Sequence, residues 1–190
     1  IFLLSDAPWR LFFTPDHPNG APFTRYPELI HLLMSYDYRM ACLSTLHTEI
    51  QQMTLLKDLK REYSLEEIAM MTRAAPAKLL GQTDRGHLQI GAKADIAIYH
   101  QQEDLTKMFR FADKVFKDGE LIVKDGQVLT QKQTKTLSLA MGYNDDIETV
   151  IQSYMDQYYS LKLSNYGVTE DVNPHPNGFA YQSLEGVYSA

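Results

Sequence analysis

Apolar residues follow two different rhythms along this chain, and the change between them divides it. The run Leu11-Phe12-Phe13-Thr14 stops abruptly at Pro15-Asp16-His17-Pro18-Asn19-Gly20. A short apolar run bounded by Pro, Asp and Gly predicts a buried parallel strand followed by a loop. Tyr26, Leu29, Ile30, Leu33 and Met34 then recur at the spacing of one helix face, with Pro27 acceptable in the first turn. Strand, polar loop and helix make one βα unit. Residues 43–62 are mixed and charged, and read as a helical connector. Ser64-Leu65-Glu66-Glu67 has the form of a capping box, and Leu65, Ile68 and Ala69 begin an apolar stripe. The helix should break before Pro76, and a second short helix over 76–80 should stop at Gly81.

After Gly81 the rhythm changes. Ile90, Ile96, Ala97, Ile98 and Tyr99 are strand-like, and Asp118-Gly119 and Asp125-Gly126 punctuate residues 115–129. Asp-Gly between β-favouring residues signals a hairpin, because both central turn positions need positive φ. Ile147, Val150, Ile151, Tyr154, Met155 and Tyr158 return to helical spacing, with Asp145 and Asp146 at the end the macrodipole favours. From Leu163 the chain is rich in Asn, Pro, Gly and Ser and reads as irregular. The expected division is 1–80 for the βα part, 81–135 for a small antiparallel β module, 136–162 for a C-terminal helix and 163–190 for the tail.

Composition narrows the functional classes. The 190 residues carry a formal net charge of -6, with 44% hydrophobic and 22% charged residues, as in an ordinary globular protein. Nucleic-acid binding needs clustered Lys and Arg; the densest group here, Lys57, Lys60 and Arg61, is followed at once by acidic residues. No apolar stretch approaches the roughly 20 residues that span a bilayer. Cys42 is the single cysteine, so neither an internal disulfide nor a cysteine-based zinc site can form, and a lone thiol suits a cytoplasmic location. The chain opens at Ile1 inside an apolar run, which reads as a piece of a longer protein.

Asp16 is the strongest candidate for chemistry. It lies at the C-terminal end of the predicted strand, the edge at which a (β/α) barrel presents catalytic groups, and a carboxylate there can bind a metal and exchange a proton. The competing reading is a turn-former, and from spacing alone that is the stronger one, because the whole loop is dense in turn residues. His17 and Asn19 are weaker candidates, beside the substrate or behind the metal. His31, His47, His87, His100 and His175 show neither HxH nor HExxH spacing. No nucleophile elbow, phosphate loop or dinucleotide fingerprint is present. The Tyr-rich stretch 145–159 can be a binding surface, although Tyr at such spacing is usually core.

Three strings carry a resemblance. FFTPDHPNGAPFTRYPELIHLLM resembles the stretch around the last barrel strand in the family of formylmethanofuran dehydrogenase and formyltransferase/hydrolase amidohydrolase subunits, where a Thr-Asp-His-Pro-Asn-Gly pattern is typical; Pro15 stands here where a second Thr is common. MMTRAAPAKLLG and DRGHLQIGAKADIAIY resemble metal-dependent amidohydrolases more broadly. Together these cover about residues 5–160. The resemblance implies the α/β fold of such an enzyme: the C-terminal part of a (β/α) barrel, a small antiparallel β module and a C-terminal helix.

It also implies a site with two zinc ions, of whose ligands only the late aspartate matches a position here, Asp16, as metal ligand and proton shuttle. The implied reaction is hydrolysis or formation of the N-formyl amide of formylmethanofuran, with methanofuran and formate as partners, alongside other subunits of one complex. FTRYP and AAPAKLLG lean towards the bacterial, hydrolytic type. A dihydroorotase-, hydantoinase- or deacylase-like amidohydrolase is the enzymatic alternative, and a truncated chain with an assembly role is the non-catalytic one.

Overall fold

In the computed structural model, residues 1–132, 136–140, 144, 146–166 and 179–183 are described, and the chain divides into two units, Ile1–Gln131 and Lys132–Ala190. The first begins with helices α1 (Tyr26–Met34), α2 (Tyr36–Ser44) and α3 (Thr48–Met53), followed by α4 (Leu65–Ala69) and α5 (Ala75–Leu79). Its second half holds strand β1 (Ile96–Ile98), helix α6 (Leu105–Arg110) and strands β2 (Lys114–Lys117), β3 (Glu120–Lys124) and β4 (Gln127–Val128).

The apolar faces read from the sequence meet in one core. Ile30 of α1 packs with Tyr63, Ile68 and the fully buried Met71, and Phe2, Leu3, Leu11, Phe13, Leu33, Met34 and Phe109 close around them. The turn after α1 is fixed by Arg39, itself 4% exposed. Its Nη1 donates to the carbonyls of Leu32 (2.7 Å) and Leu33 (3.3 Å), and its Nη2 to those of Leu59 (3.2 Å) and Arg61 (2.7 Å). The first pair belongs to the last turn of α1, where carbonyls lack helical partners and a cation is favoured. The second pair lies on the returning chain, so one guanidinium closes the loop containing α2 and α3. Beside it, Tyr63 donates its amide to Leu33 O (3.0 Å) and its hydroxyl to Phe2 O (2.6 Å). Arg61 reaches the carbonyl of Ser5 and Glu67 Oε1 (2.9 Å). The N-terminal segment is thereby held to the helices.

The capping box forms as predicted: Glu67 N donates to Ser64 Oγ (3.2 Å), and Ser64 N to Glu67 Oε2 (2.9 Å). The expected break before Pro76 does not occur. A π-turn at Met70–Ala74 carries the helix from α4 into α5, with Ala75 N bonded to Met70 O. That wider turn accommodates a proline that has no N–H to give and whose ring would crowd an α-helical carbonyl.

The hairpin reading holds at both turns. Strands β1-β2-β3-β4 form one antiparallel sheet in sequence order. Asp118 (φ 48°) and Asp125 (φ 51°) each take the left-handed conformation ahead of their glycines. Ile90, grouped with the strands by composition, lies outside the sheet and is fully exposed. Helix α6 went unseen in the sequence; it is capped by Asp104 Oδ1, which accepts from Lys107 N at 3.1 Å, and packs on α1. Residues 11–14 carry no sheet ladder. Leu11 is extended (φ −110°, ψ 126°), but a strand needs a neighbour to bond to, and none of the described strands of this chain pairs with it.

The strings GQTDRG and GAKAD turn out to be architectural. Asp84 holds Lys93 Nζ (3.1 Å) and Arg85 Nε (3.3 Å), while Asp95 meets Lys117 Nζ and accepts from Asp118 N at 2.9 Å. Gly86 (φ 80°) lies so close to α5 that a Cβ there would stand 2.7 Å from Ala77 Cβ and 2.9 Å from Arg73 O. The two family-like strings therefore pack on each other.

In the second unit, β5 (Thr136–Ala140) and β6 (Phe179–Ser183) pair in parallel, Thr136 opposite Phe179. Helix α7 (Asp146–Tyr158) is present as the spacing predicts, with Asp146 N bonded to Asn144 Oδ1 (3.1 Å) and the rings of Tyr154 and Tyr158 4.8 Å apart. Asp145 lies outside the described residues. Within the stretch read as an irregular tail, Leu163–Tyr166 form a 3₁₀ turn and β6 is a strand. A strand that pairs at long range leaves little local signature, so composition alone did not reveal it. No helix among the described residues is long and apolar enough to cross a membrane.

Two outcomes are expected. Arg39→Met should cost about 3–5 kcal/mol in denaturant unfolding, since it strips carbonyls of their donors inside the core, and Arg39→Lys, with one point charge, should recover only part. The Asp84 and Asp95 carboxyls both titrate below their ordinary 3.8. For Asp84 the bond from Lys93 is the main cause; for Asp95 burial pushes upward, and the bonds from Lys117 and the Asp118 amide together outweigh it. A depressed folded-state pKa gives stability that is present above the unfolded value and lost as pH falls through the folded one. Acid unfolding of the sheet should thus set in below about pH 4, and Asp95→Asn should lower stability at neutral pH while flattening that acid limb.

Candidate functional site

Loop 15–20 is built as a closed turn on a buried stem. Pro15 is buried, and Asp16 to Gly20 are exposed. Asp16 takes φ 53°, in the left-handed region that Asp and Asn enter most readily among residues with a side chain. Its amide donates to Thr14 Oγ1 (3.2 Å), and its carbonyl accepts from Gly20 N (2.8 Å). Only glycine fits at position 20, where a Cβ would stand 2.5 Å from Pro15 O. The His17–Pro18 peptide is cis.

The loop is braced by rings. His17 stacks on Phe23 (centroids 4.2 Å apart, planes at 19°), and Phe23 lies parallel to Tyr26 at 6.4 Å. Tyr26 meets Phe13 at 5.7 Å, and Phe13 meets Phe2 edge-on at 6.1 Å. The aromatic series carries the loop's orientation into the core. Asp16, His17 and Asn19 therefore share one exposed turn, with the Asp16 carboxylate open to solvent and the His17 ring occupied as a face against Phe23. Such a turn can offer a carboxylate to a molecule beside it, as base, acid or one metal ligand.

It does not amount to a metal centre. Among the described residues no three His, Cys, Asp or Glu side chains come together as a ligand set, whereas a catalytic zinc takes at least three protein ligands. The remaining histidines are dispersed. His47 lies at the N-terminus of α3, His87 Nε2 is 2.9 Å from Thr83 O, and His100 Nε2 is 3.3 Å from Asp113 Oδ1. His175 lies outside the described residues.

One cluster was not legible in the sequence. His31 of α1 stacks flat on Tyr38 of α2, with centroids 3.7 Å apart and planes at 4°, and its Nδ1 is 2.9 Å from Thr106 Oγ1 of α6. Asp104 Oδ1 is 3.8 Å from the same nitrogen. Burial lowers the His31 pKa from 6.5, against the pull of Asp104, and burial also raises that of Tyr38. The spacing of His31 and Tyr38 is ordinary helix spacing, and Thr106 lies seventy-five residues on, so no local pattern links them.

Comparison with known proteins accounts for these features together. A model described as "Amidohydrolase family" matches residues 1–130. The first subunit of the formyltransferase/hydrolase complex Fhc of Methylorubrum extorquens, FhcA, is 44% identical over 178 residues, 94% of this chain and 32% of that protein. Protein FwdA of Methanocaldococcus jannaschii is 40% identical over 174 residues, covering 85% of this chain and 31% of that protein. The fold superposes on a chain in the crystal structure of the formyltransferase/hydrolase complex FhcABCD from Methylorubrum extorquens, solved with methylofuran. The TM-score is 0.80 at 43% identity, over 96% of this chain and 34% of that one. The chain thus spans about a third of the length of the relatives it matches. With residues 1–130 matched by the family's model and such relatives aligned over most of its length, this chain belongs to the amidohydrolase family.

Proposed function

We propose that this chain is the C-terminal part of an amidohydrolase subunit that hydrolyses, or forms, the N-formyl amide of a formylmethanofuran-type substrate, with formate as the other product or reactant. The observation that carries this reading is the match at 43% identity, over 96% of the chain, to a chain of a complex solved with methylofuran. In it, residues 1–80 end a (β/α) barrel, and residues 11–14 are a strand whose neighbours belong to other parts of the complete protein. That is consistent with an extended segment that has no ladder and leaves Phe12 exposed. Residues 81–135 follow as the β module, 136–162 as the C-terminal helical part and 163–190 as the tail. The complete protein works in the cytoplasm within a complex of several subunits, and the higher identity to the formyltransferase/hydrolase relative favours the hydrolytic form.

Asp16 is the residue of this chain that meets the reaction. As a general base its carboxylate takes a proton from the attacking water and, as the C–N bond breaks, returns it to the departing nitrogen, leaving formate and the free amine. His17 and Asn19 sit on the substrate side of the same turn. Two zinc ions belong to the reading for the complete protein. The described residues offer Asp16 alone towards them and do not fit a zinc by themselves.

Replacing Asp16 with Asn in the complete protein separates catalyst from turn-former. Loss of a general base should lower kcat by about 100- to 10,000-fold with substrate binding changed far less. A turn role alone predicts activity within a few-fold of normal, because Asn enters the left-handed region as readily as Asp. The isolated 190-residue chain should bind zinc well below one equivalent by metal analysis and release no formate. Stoichiometric zinc with turnover would show that it holds a site of its own.

A further inference from the structure

The cluster at His31 joins three helices through one ring. The imidazole lies on the Tyr38 ring of α2, its Nδ1 meets the Thr106 hydroxyl of α6, and the Asp104 carboxylate at the start of α6 stands 3.8 Å from the same nitrogen. The other ionisable groups nearby are Glu28 on α1, Cys42 on α2 beside Tyr38, and Lys107 on α6, whose Nζ is 3.7 Å from Asp104 Oδ2.

Asp104 Oδ1 has two claims on it. It caps α6 by accepting from Lys107 N (3.1 Å), and it is the anionic oxygen nearest His31. While the imidazole is neutral, Nδ1 can accept the Thr106 proton, and Asp104 is free to cap. Once the ring is protonated, Nδ1 becomes a donor, Thr106 has to turn its proton away, and Oδ1 is drawn towards the new charge. We propose that His31 is a proton-operated latch, which in its neutral form holds the capped start of α6 against α1 and in its charged form draws Asp104 off the cap and loosens that start. Burial of the imidazole, with 13% of its side chain exposed, favours the neutral, latched state, and its pKa is lowered accordingly. The latch operates as pH falls below the ordinary histidine range. It stands independently of the part played by Asp16.

Hydrogen–deuterium exchange of the complete protein, followed over 105–110 from about pH 7.5 to about pH 4.5 and corrected for intrinsic rates, reads the latch directly. In the wild type, exchange in the first turn of α6 should quicken about fivefold or more across that range, the size expected for losing a cap. His31→Gln, uncharged throughout, should show pH-independent protection there, and Asp104→Asn, which still caps but is not drawn by charge, should blunt the response. An equal response in wild type and His31→Gln, or none in the wild type, would overturn the proposal. If His31→Gln does not fold, Asp104→Asn alone decides: an undiminished response in it has the same meaning.

Discussion

The first unit depends on a buried guanidinium placed at the end of a helix. Arg39 gives its donors to backbone carbonyls on both sides of a long excursion, two on the last turn of α1 and two on the chain that returns after α3. Burial works against its charge, and nearby Glu62 works for it. The carbonyls need donors as much as the cation needs acceptors, so each makes the other's burial tolerable. Tyr63, two residues beyond the last of those carbonyls, then enters the core and reaches back to Phe2. Without that closure, the N-terminal segment and the turn it carries would have no fixed seat.

What could be read from the sequence was local in origin. Helix α1, the capping box at Ser64 and Glu67, both Asp-Gly turns and α7 all follow from residues within one or two turns of each other, and the structure has them where the pattern put them. Helix α6 was missed because it is short and its apolar residues fill a gap between strands. The break expected at Pro76 followed the general rule for proline, and the π-turn shows how wider winding escapes it. Strand β6 pairs with residues some forty positions away, and nothing local announces that.

The candidate site shows the same boundary. Asp16 stood out because its neighbours form a turn at the end of an apolar run, and the turn is there. What the sequence could not convey is how the turn is held, since ring contacts from Phe2 to His17 join residues by shape and not by pattern. The resemblance to amidohydrolases rested on three strings, and they do different things. One builds the turn, while the other two build the contact between α5 and the loop at Gly86 and the charged lattice around Asp84 and Asp95. Strings that identify a family need not be strings that act in its chemistry.

The ring series from Phe2 through Phe13, Tyr26 and Phe23 to His17 has a consequence for how the molecule responds to ions. Attraction between exposed charges fades once counterions crowd within a few ångströms, whereas contact between uncharged ring faces is almost indifferent to them. The β sheet leans on a lattice of partly exposed carboxylates and amines, and the turn bearing Asp16 leans on stacked rings. Rising ionic strength therefore acts on the two ends of the first unit unequally, softening the sheet's anchorage while leaving the carboxylate aimed where it was.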